Sequence, residues 1–277
     1  MEPTADSTQP QGAPEWMLYD LALLHTASRF DLSDQVGRSA SALWLRELFI
    51  GLLKELKPQL VLELGAAEAS FSRNMSELLS GAEIHAFEAN PHVHARHRER
   101  AEAAGVHYHN LAVGPEPGRT AFQIGVSRDG QPLKPTKTSN SVLQKPRGVE
   151  YRSVEVEMAS VDAFTEQNGL ADRSCAMWID VEGLAYQVLS GARRTLKATV
   201  ALLIELEDKA FWSGQVLAPE VKSLLWDAGF VPVARDFEYR GQYNVLFVAL
   251  PHLNRAQVRR TLEEAFSGTT AAAAQPR

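Results

Sequence analysis

The chain has 277 residues, 45% of them hydrophobic and 22% charged, with a net charge of -6 and a pI near 5.8. That balance fits one large α/β domain, or one with a small appendage, and it excludes a general nucleic-acid binder, which carries a basic stripe. The lone Cys175 excludes an intrachain disulfide, no apolar run reaches membrane-span length, and residues 1–14 lack the basic start and apolar middle of a signal peptide, so a cytoplasmic protein with no membrane partner is expected.

Residues 1–14 and 267–277 read as low-complexity, disordered ends. Residues 16–30 are apolar enough for a short helix. Over 39–56, Leu43, Leu48, Leu52 and Leu56 recur at helical spacing, which predicts an amphipathic helix ending near Pro58. The run LVLEL at 60–64 reads as a buried parallel strand. A helix over 70–79, a strand over 84–87, a helix over 92–104 and a strand over 106–113 follow. Two β-like runs, 120–126 and 153–158, then flank a loop rich in Gly, Pro, Lys and Ser at 127–148, long enough to suggest function. Alternation resumes with a strand at 176–181, a helix at 184–196, a strand at 200–206, a helix at 219–228, and strands at 231–235 and 244–250. The pattern predicts an α/β, Rossmann-like fold: a mainly parallel sheet with helices on both faces and an antiparallel C-terminal strand.

In such a sheet, ligands bind beyond the C-terminal strand ends. After the first strand comes Glu63-Leu64-Gly65-Ala66-Ala67-Glu68-Ala69. Gly65 permits a tight turn and close approach of a ligand to the backbone, and the next helix directs free N–H groups toward it. The full three-glycine dinucleotide fingerprint is absent, since Ala67 and Ala69 fill the later positions; the turn alone is often only a strand–helix connection. Glu88 ends the next strand, in IHAFEAN at 84–90, where an acid accepts hydrogen bonds from ribose hydroxyls. The bland alternative is a solvated carboxylate on a turn. His92 and His94 open the following helix and read as an exposed face or a rim of the same site.

These segments carry a resemblance. LVLELGAAEASFS at 60–72, IHAFEANP at 84–91, NLAVG at 110–114, SVDAF at 160–164, WIDVEGLAYQVLSGARRTL at 178–196 and LLIELE at 202–207 resemble the FkbM family of S-adenosylmethionine (SAM)-dependent methyltransferases. The most specific piece is Ile179-Asp180-Val181-Glu182-Gly183 followed by Val188-Leu189-Ser190-Gly191-Ala192. The family pattern places Asn and a later Gly where this chain has Ala67 and Ala69. The resemblance implies a SAM pocket with Glu63, Gly65, Ala66 and Ala67 at the methionine end, Glu88, Ala89 and Asn90 at the ribose, and Asn110, Leu111 and Ala112 near the adenine, with Asp180 facing the methyl group. It implies a domain over 58–252, preceded by a helical extension over 15–57 and followed by a C-terminal helix and tail over 253–277.

Methyl transfer to an alcohol needs an in-line nucleophile and a place for its proton. Asp180 and Glu182 stand at a strand end suited to that task, with His109 as a further base. Alternatively Asp180 and Glu205 hold a divalent cation such as Mg through oxygens. The bland reading makes these acids helix caps and His107 and His109 satisfied strand histidines. Lys134, Lys137, Ser139 and Asn140 of the long loop form either a lid or a surface segment. Trp212, Tyr239 and Tyr243 form either an acceptor wall or sheet-edge packing. The expected activity is an O-methyltransferase acting on a sugar or polyketide-type small molecule. A nicotinamide-dependent oxidoreductase and a non-catalytic SAM-binding protein are the competing readings. A homo-oligomer contact through residues 16–56 stays open.

Overall fold

In a computed structural model of the full chain, the structure describes residues 15–136, 140–145 and 147–267. The expected disordered ends, 1–14 and most of 267–277, and two of the lid candidates, Lys137 and Ser139, lie outside them. Helix α1 (Trp16–Leu24) runs into a 3-10 turn and is followed by α2 (Gln35–Leu56). Asp34 opens α2 by accepting the Gly37 N–H at 2.8 Å, a side-chain cap for an otherwise unpaired donor. Lys57, left-handed at φ 48°, closes it before Pro58. The buried stripe of α2 is Leu45, Leu48, Phe49, Leu52, Leu53 and Leu56. Leu43, assigned to that stripe by spacing, is 48% exposed, because Leu45 and Phe49 set the core face instead.

The central sheet has seven strands. β1 (Leu60–Leu64) pairs in parallel with β2 (Glu83–Phe87), which pairs with β3 (His107–His109). On the other side, β1 pairs with β8 (Cys175–Ile179) and β8 with β9 (Thr199–Glu207), again in parallel. β11 (Gln242–Ala249) runs antiparallel between β9 and β10 (Phe230–Arg235). The spatial order is β10-β11-β9-β8-β1-β2-β3. The chain therefore winds outward from β1 to β3, then returns to start again beside β1. The reversal lies between β1 and β8, where an open α/β sheet forms its ligand crevice.

Alternate residues of each strand feed two apolar layers. Leu60, Leu62, Leu64, Met177, Ile179, Leu202 and Ile204 pack against α5 (Val161–Gln167), α6 (Ala185–Ser190), α7 (Thr195–Ala198) and α8 (Ala218–Asp227). Val61, Ala176, Ala201, Leu203, Leu246 and Val248 pack against α2, α3 (Ser70–Leu78), α4 (Pro91–Ala103) and α10 (Ala256–Ser267). The remaining short helix, α9 (Leu250–Leu253), links β11 to α10. No helix among the described residues is long and apolar enough to cross a membrane.

Two of the expected elements are each split in two. The single strand over 106–113 is two: β3 stays in the main sheet, while β4 (Ala112–Val113) joins a separate sheet. Asn110 makes the break by turning its side-chain amide onto the Glu88 carbonyl, 2.8 Å away. The helix over 184–196 is likewise split into α6 and α7 around Gly191. A Cβ there would lie 2.4 Å from the Gly114 carbonyl oxygen and 2.8 Å from that of Pro115. Glycine is what lets this turn reach the segment that follows β4.

The second sheet, in the order β4-β7-β5-β6, is built on an antiparallel hairpin of β5 (Gly118–Arg128) and β7 (Val149–Ala159), with β6 (Gln131–Pro132) at its edge. The long loop returns across this hairpin. Gln123 N–H donates to the Ser141 carbonyl and Gly125 N–H to Asn140 Oδ1, both at 2.8 Å.

Candidate active site

A cavity of about 140 Å³ lies at the reversal point. Gly65 and Ala67 from the β1–α3 turn, Phe87, Glu88 and Ala89 from the end of β2, and Leu111 and Ala112 after β3 form one side. Asp180, Val181, Glu182 and Leu184 after β8 form the other, and Phe122 from β5 with Asn140, Ser141 and Val142 from the long loop cover it. Six of the residues expected at the cofactor thus meet here: Gly65, Ala67, Glu88, Ala89, Leu111 and Ala112, together with Asp180.

The turn owes its shape to close packing. Gly65 sits at φ 84°, and a Cβ on it would lie 1.7 Å from the Asp180 carbonyl oxygen. No other residue fits without parting the ends of β1 and β8. Ala67 and Ala69, which stand where glycine or asparagine is easier, hold φ of 46° and 53°. Left-handed backbone costs an L-residue about 1–2 kcal/mol, so these positions must be held from outside. Ala67 is clamped on both sides: its N–H donates to Glu88 Oε2 at 2.9 Å, and its carbonyl accepts the Tyr108 hydroxyl. Glu182, at φ 49°, is a second left-handed non-glycine residue in the cavity lining, with Ala67.

Glu88 is buried and takes two backbone N–H groups, from Ala67 on one oxygen and from Asn90 at 2.7 Å on the other. Burial raises its pKa to about 7. Each oxygen keeps a lone pair for a further donor. Asn90 does not line the cavity: its side chain caps α4 by accepting the His92 N–H and donates to the Pro135 carbonyl. Asn110 is also outside the lining, and its amide ties the Glu88 and Ala89 carbonyls together. Ala66 is buried in the core behind the turn. Glu63 too lies behind it, accepting the Ser72 N–H at 2.9 Å. Its carboxylate therefore caps α3, and burial raises its pKa to about 7.

Beyond Asp180 the ends of β8 and β9 carry a cluster of buried carboxyl groups. Burial raises Asp180 to about 6, with the Asp236 carboxylate adding to the shift. Burial and then the Asp180 charge raise Glu182 to about 8. Glu205 is pushed well above its ordinary range by burial and by Asp180, Glu182 and Glu207; burial raises Glu207 to about 7. Glu205 Oε1 and Glu207 Oε1 are buried without a hydrogen-bond partner among the described residues. Glu205 is not part of the cavity lining.

The basic candidate His109 points elsewhere. Its Nε2 lies 3.0 Å from His85 Nδ1 and its ring stacks on Phe87. Burial, with the neighbouring His85 and His107, lowers its pKa to about 4. Turned into the sheet edge, it does not reach the cavity. The aromatic candidates separate as well: Trp212 and Tyr243 are buried, and Tyr239 is 57% exposed. Of the lid candidates, Asn140 lines the cavity and Lys134 is exposed. His92 is exposed beside Arg152, and His94 reaches the Tyr108 carbonyl. No motif or spacing pointed to Phe122, Ser141 or Val142. Ser141 in particular donates its hydroxyl to the Glu182 carbonyl at 2.7 Å, which pins the loop across the cavity mouth.

A crevice at the reversal of a doubly wound sheet, with a glycine turn on one strand and a buried acid on the next, is the site of a nucleotide-type cofactor enzyme. The model of the methyltransferase FkbM domain matches residues 63–232, and the chain belongs to the FkbM methyltransferase family. It is a SAM-dependent methyltransferase. The 2-O-methyltransferase NoeI of Sinorhizobium fredii (strain NBRC 101917 / NGR234) is 25% identical over 203 residues, 70% of this chain and 82% of that protein. Among solved structures, the precorrin-6y C5,15-methyltransferase of Geobacter metallireducens GS-15 overlaps at a TM-score of 0.38 and 13% identity, over 72% of this chain and 85% of its own. Fibrillarin of Aeropyrum pernix, in complex with S-adenosyl-L-methionine, overlaps at 0.40 and 11%, over 69% and 66%. These two overlaps are too loose to add to the fold derived above.

Proposed function

We propose that the protein is an O-methyltransferase that moves the SAM methyl group to a hydroxyl of a polyhydroxylated small molecule, a sugar before a polyketide. The carrying observation is the pair of acids Asp180 and Glu182 in the cavity lining, since carboxylates are the natural acceptors for acceptor hydroxyls. NoeI, a 2-O-methyltransferase by name, supports the same direction.

In this reading the Gly65–Ala69 turn receives the methionine end of SAM, Glu88 accepts the ribose hydroxyls, and Leu111 and Ala112 flank the adenine. The acceptor hydroxyl donates to Asp180 or Glu182, whose raised pKa values bring them close to the range of an efficient base at neutral pH. When bound, SAM would supply the methyl group and leave as S-adenosylhomocysteine, while Asp180 or Glu182 would take the proton of the attacking hydroxyl. The second reading adds a divalent cation held by Asp180 and Glu205. Its support is the orphaned Glu205 Oε1 in an all-oxygen donor set; such an ion lowers a hydroxyl pKa and orients it. Retention of full activity after exhaustive chelation refutes that second reading.

Calorimetry with SAM tests the first. Losing a charged hydrogen bond costs about 1.5–3 kcal/mol, so Glu88→Ala weakens SAM binding roughly 10- to 150-fold. Unchanged affinity removes Glu88 from the cofactor site. A mass-spectrometric screen for added methyl groups across sugars and macrolides tests the acceptor class, and transfer to macrolides alone rejects the sugar.

A further inference from the structure

The far end of the same edge of the sheet carries a cluster that methyl transfer does not use. Glu83 opens β2 and His85 follows two positions later on the same face. The register pairs His85 with His107 on β3. One carboxylate oxygen of Glu83 and one ring nitrogen from each of His85 and His107 lie within 4.8 Å of one another. Among the described residues this is the one His, Cys, Asp and Glu group of three that converges in this way.

We propose that Glu83, His85 and His107 form a binding site for a transition-metal ion of the zinc class, separate from the methyl-transfer pocket. Two imidazoles and one carboxylate are a common zinc donor set, leaving one position open to water. Ligand atoms about 2.0–2.2 Å from a tetrahedral ion stand about 3.3–3.6 Å apart. Glu83 Oε1 and His85 Nε2 are already 2.9 Å apart. His107 is exposed, so its ring is free of core packing that would stop it swinging in by the remaining ångström or so.

The surroundings are those of an oriented site. Metal-bound imidazoles ordinarily engage their second nitrogen with a neighbour, and metal-bound carboxylates are themselves hydrogen-bonded. His85 Nδ1 meets His109 Nε2 at 3.0 Å, so an ion would take Nε2 in place of its hydrogen bond with Glu83 Oε1. Arg173 holds the other Glu83 oxygen, Oε2, at 2.5 Å, so the ion would engage Oε1 alone, displacing its bond to His85. The His85 and His107 rings are stacked with centroids 4.7 Å apart.

The site's position suggests its use. β3 is three residues long and pairs with β2 alone in the sheet, so an ion bridging His85 and His107 staples the weakest strand to its neighbour. Glu83 lies about 16 Å of strand from Glu88, too far for the ion to take part in methyl transfer. The staple still bears on that end, because the His109 carbonyl accepts the Glu88 N–H at 3.0 Å.

Zinc chloride titrated into the tag-free, full-length protein by calorimetry, after EDTA treatment and desalting, tests the proposal. The expected result is one Zn²⁺ per chain, with affinity lowered at least about tenfold in both His107→Gln and Glu83→Gln. His107 is exposed, so its variant keeps the fold; an unchanged circular dichroism spectrum checks this. Zinc is also expected to raise the melting temperature of the wild type but not of His107→Gln. No binding, or binding of equal strength in His107→Gln, overturns the proposal; equal strength places the ion on other histidines, an adventitious ion only. SAM affinity measured in parallel keeps this outcome separate from that of the cofactor reading.

Discussion

Gly65→Ala is the sharpest perturbation of the site that leaves its chemistry untouched. The added methyl carbon would sit 1.7 Å from the Asp180 carbonyl oxygen and 2.7 Å from its carbon, so the turn must move about 1.5 Å to reach ordinary contact. That shift strains three hydrogen bonds: Gly65 N–H and Ala66 N–H to the Phe87 carbonyl at 3.0 and 2.8 Å, and Asp180 N–H to the Leu64 carbonyl at 2.9 Å. Each contributes about 1 kcal/mol net, and alanine at φ 84° adds about 1–2 kcal/mol. The expected loss is about 3–5 kcal/mol, a large share of a typical domain's stability. It corresponds to roughly 6–20 °C in melting temperature. The displaced turn also carries Ala67 away from Glu88, so SAM binding falls below detection in calorimetry. Differential scanning fluorimetry and calorimetry read both effects. A variant that melts within a degree or two of wild type and binds SAM normally would refute the account of why glycine is needed here.

Asp180→Asn is expected to keep SAM affinity within a few-fold while lowering turnover at least about 100-fold, the usual contribution of a general base; full activity removes Asp180 from the chemistry. Tyr108→Phe deletes the hydroxyl that holds the Ala67 carbonyl and should cost about 1 kcal/mol, seen as a fall of about 2–4 °C in melting temperature, and an unchanged value contradicts the clamp. Stability should also depend on pH in a definite direction. Glu63 and Glu88 have folded pKa values raised from 4.5 to about 7 by burial, so their neutral forms favour the fold below pH 4.5, and that contribution is lost as pH rises through 7. At about 1.4 kcal/mol per unit, each contributes about 3 kcal/mol to the decline. The cofactor-free protein should therefore melt lower at pH 8 than at pH 5.5, with a shallower slope in Glu63→Gln; a flat or rising profile rejects the assignment.

The elements that hold the turn and the acid were legible in the sequence because their periods are strong. LVLEL is apolar enough to be buried on both faces and is β1, and Glu88 falls one residue past β2. What separates Glu63 from Glu88 was not legible. Both are strand-associated acids in family-like motifs, yet Glu63 points behind the turn to cap α3 while Glu88 borders the cavity. One residue of pleat reverses a side chain, and only the register of the whole sheet fixes which face is the crevice. His109 shows the same limit. Alternation put His107 and His109 on one face, but that this face is the one turned to His85 and Phe164 depends on β2 and α5.

The sequence by itself determined the order of strands and helices, the glycine at the first turn and the acid after the second strand, because these follow from local periodicity and backbone chemistry. Tertiary structure decided what meets them. Gly65 is required by the Asp180 carbonyl, a contact between residues far apart in the chain. Phe122, Ser141 and Val142 reach the cavity because β5 and the long loop fold across it. Such contacts form when separate strands converge at one end of a sheet, and no local pattern encodes that convergence.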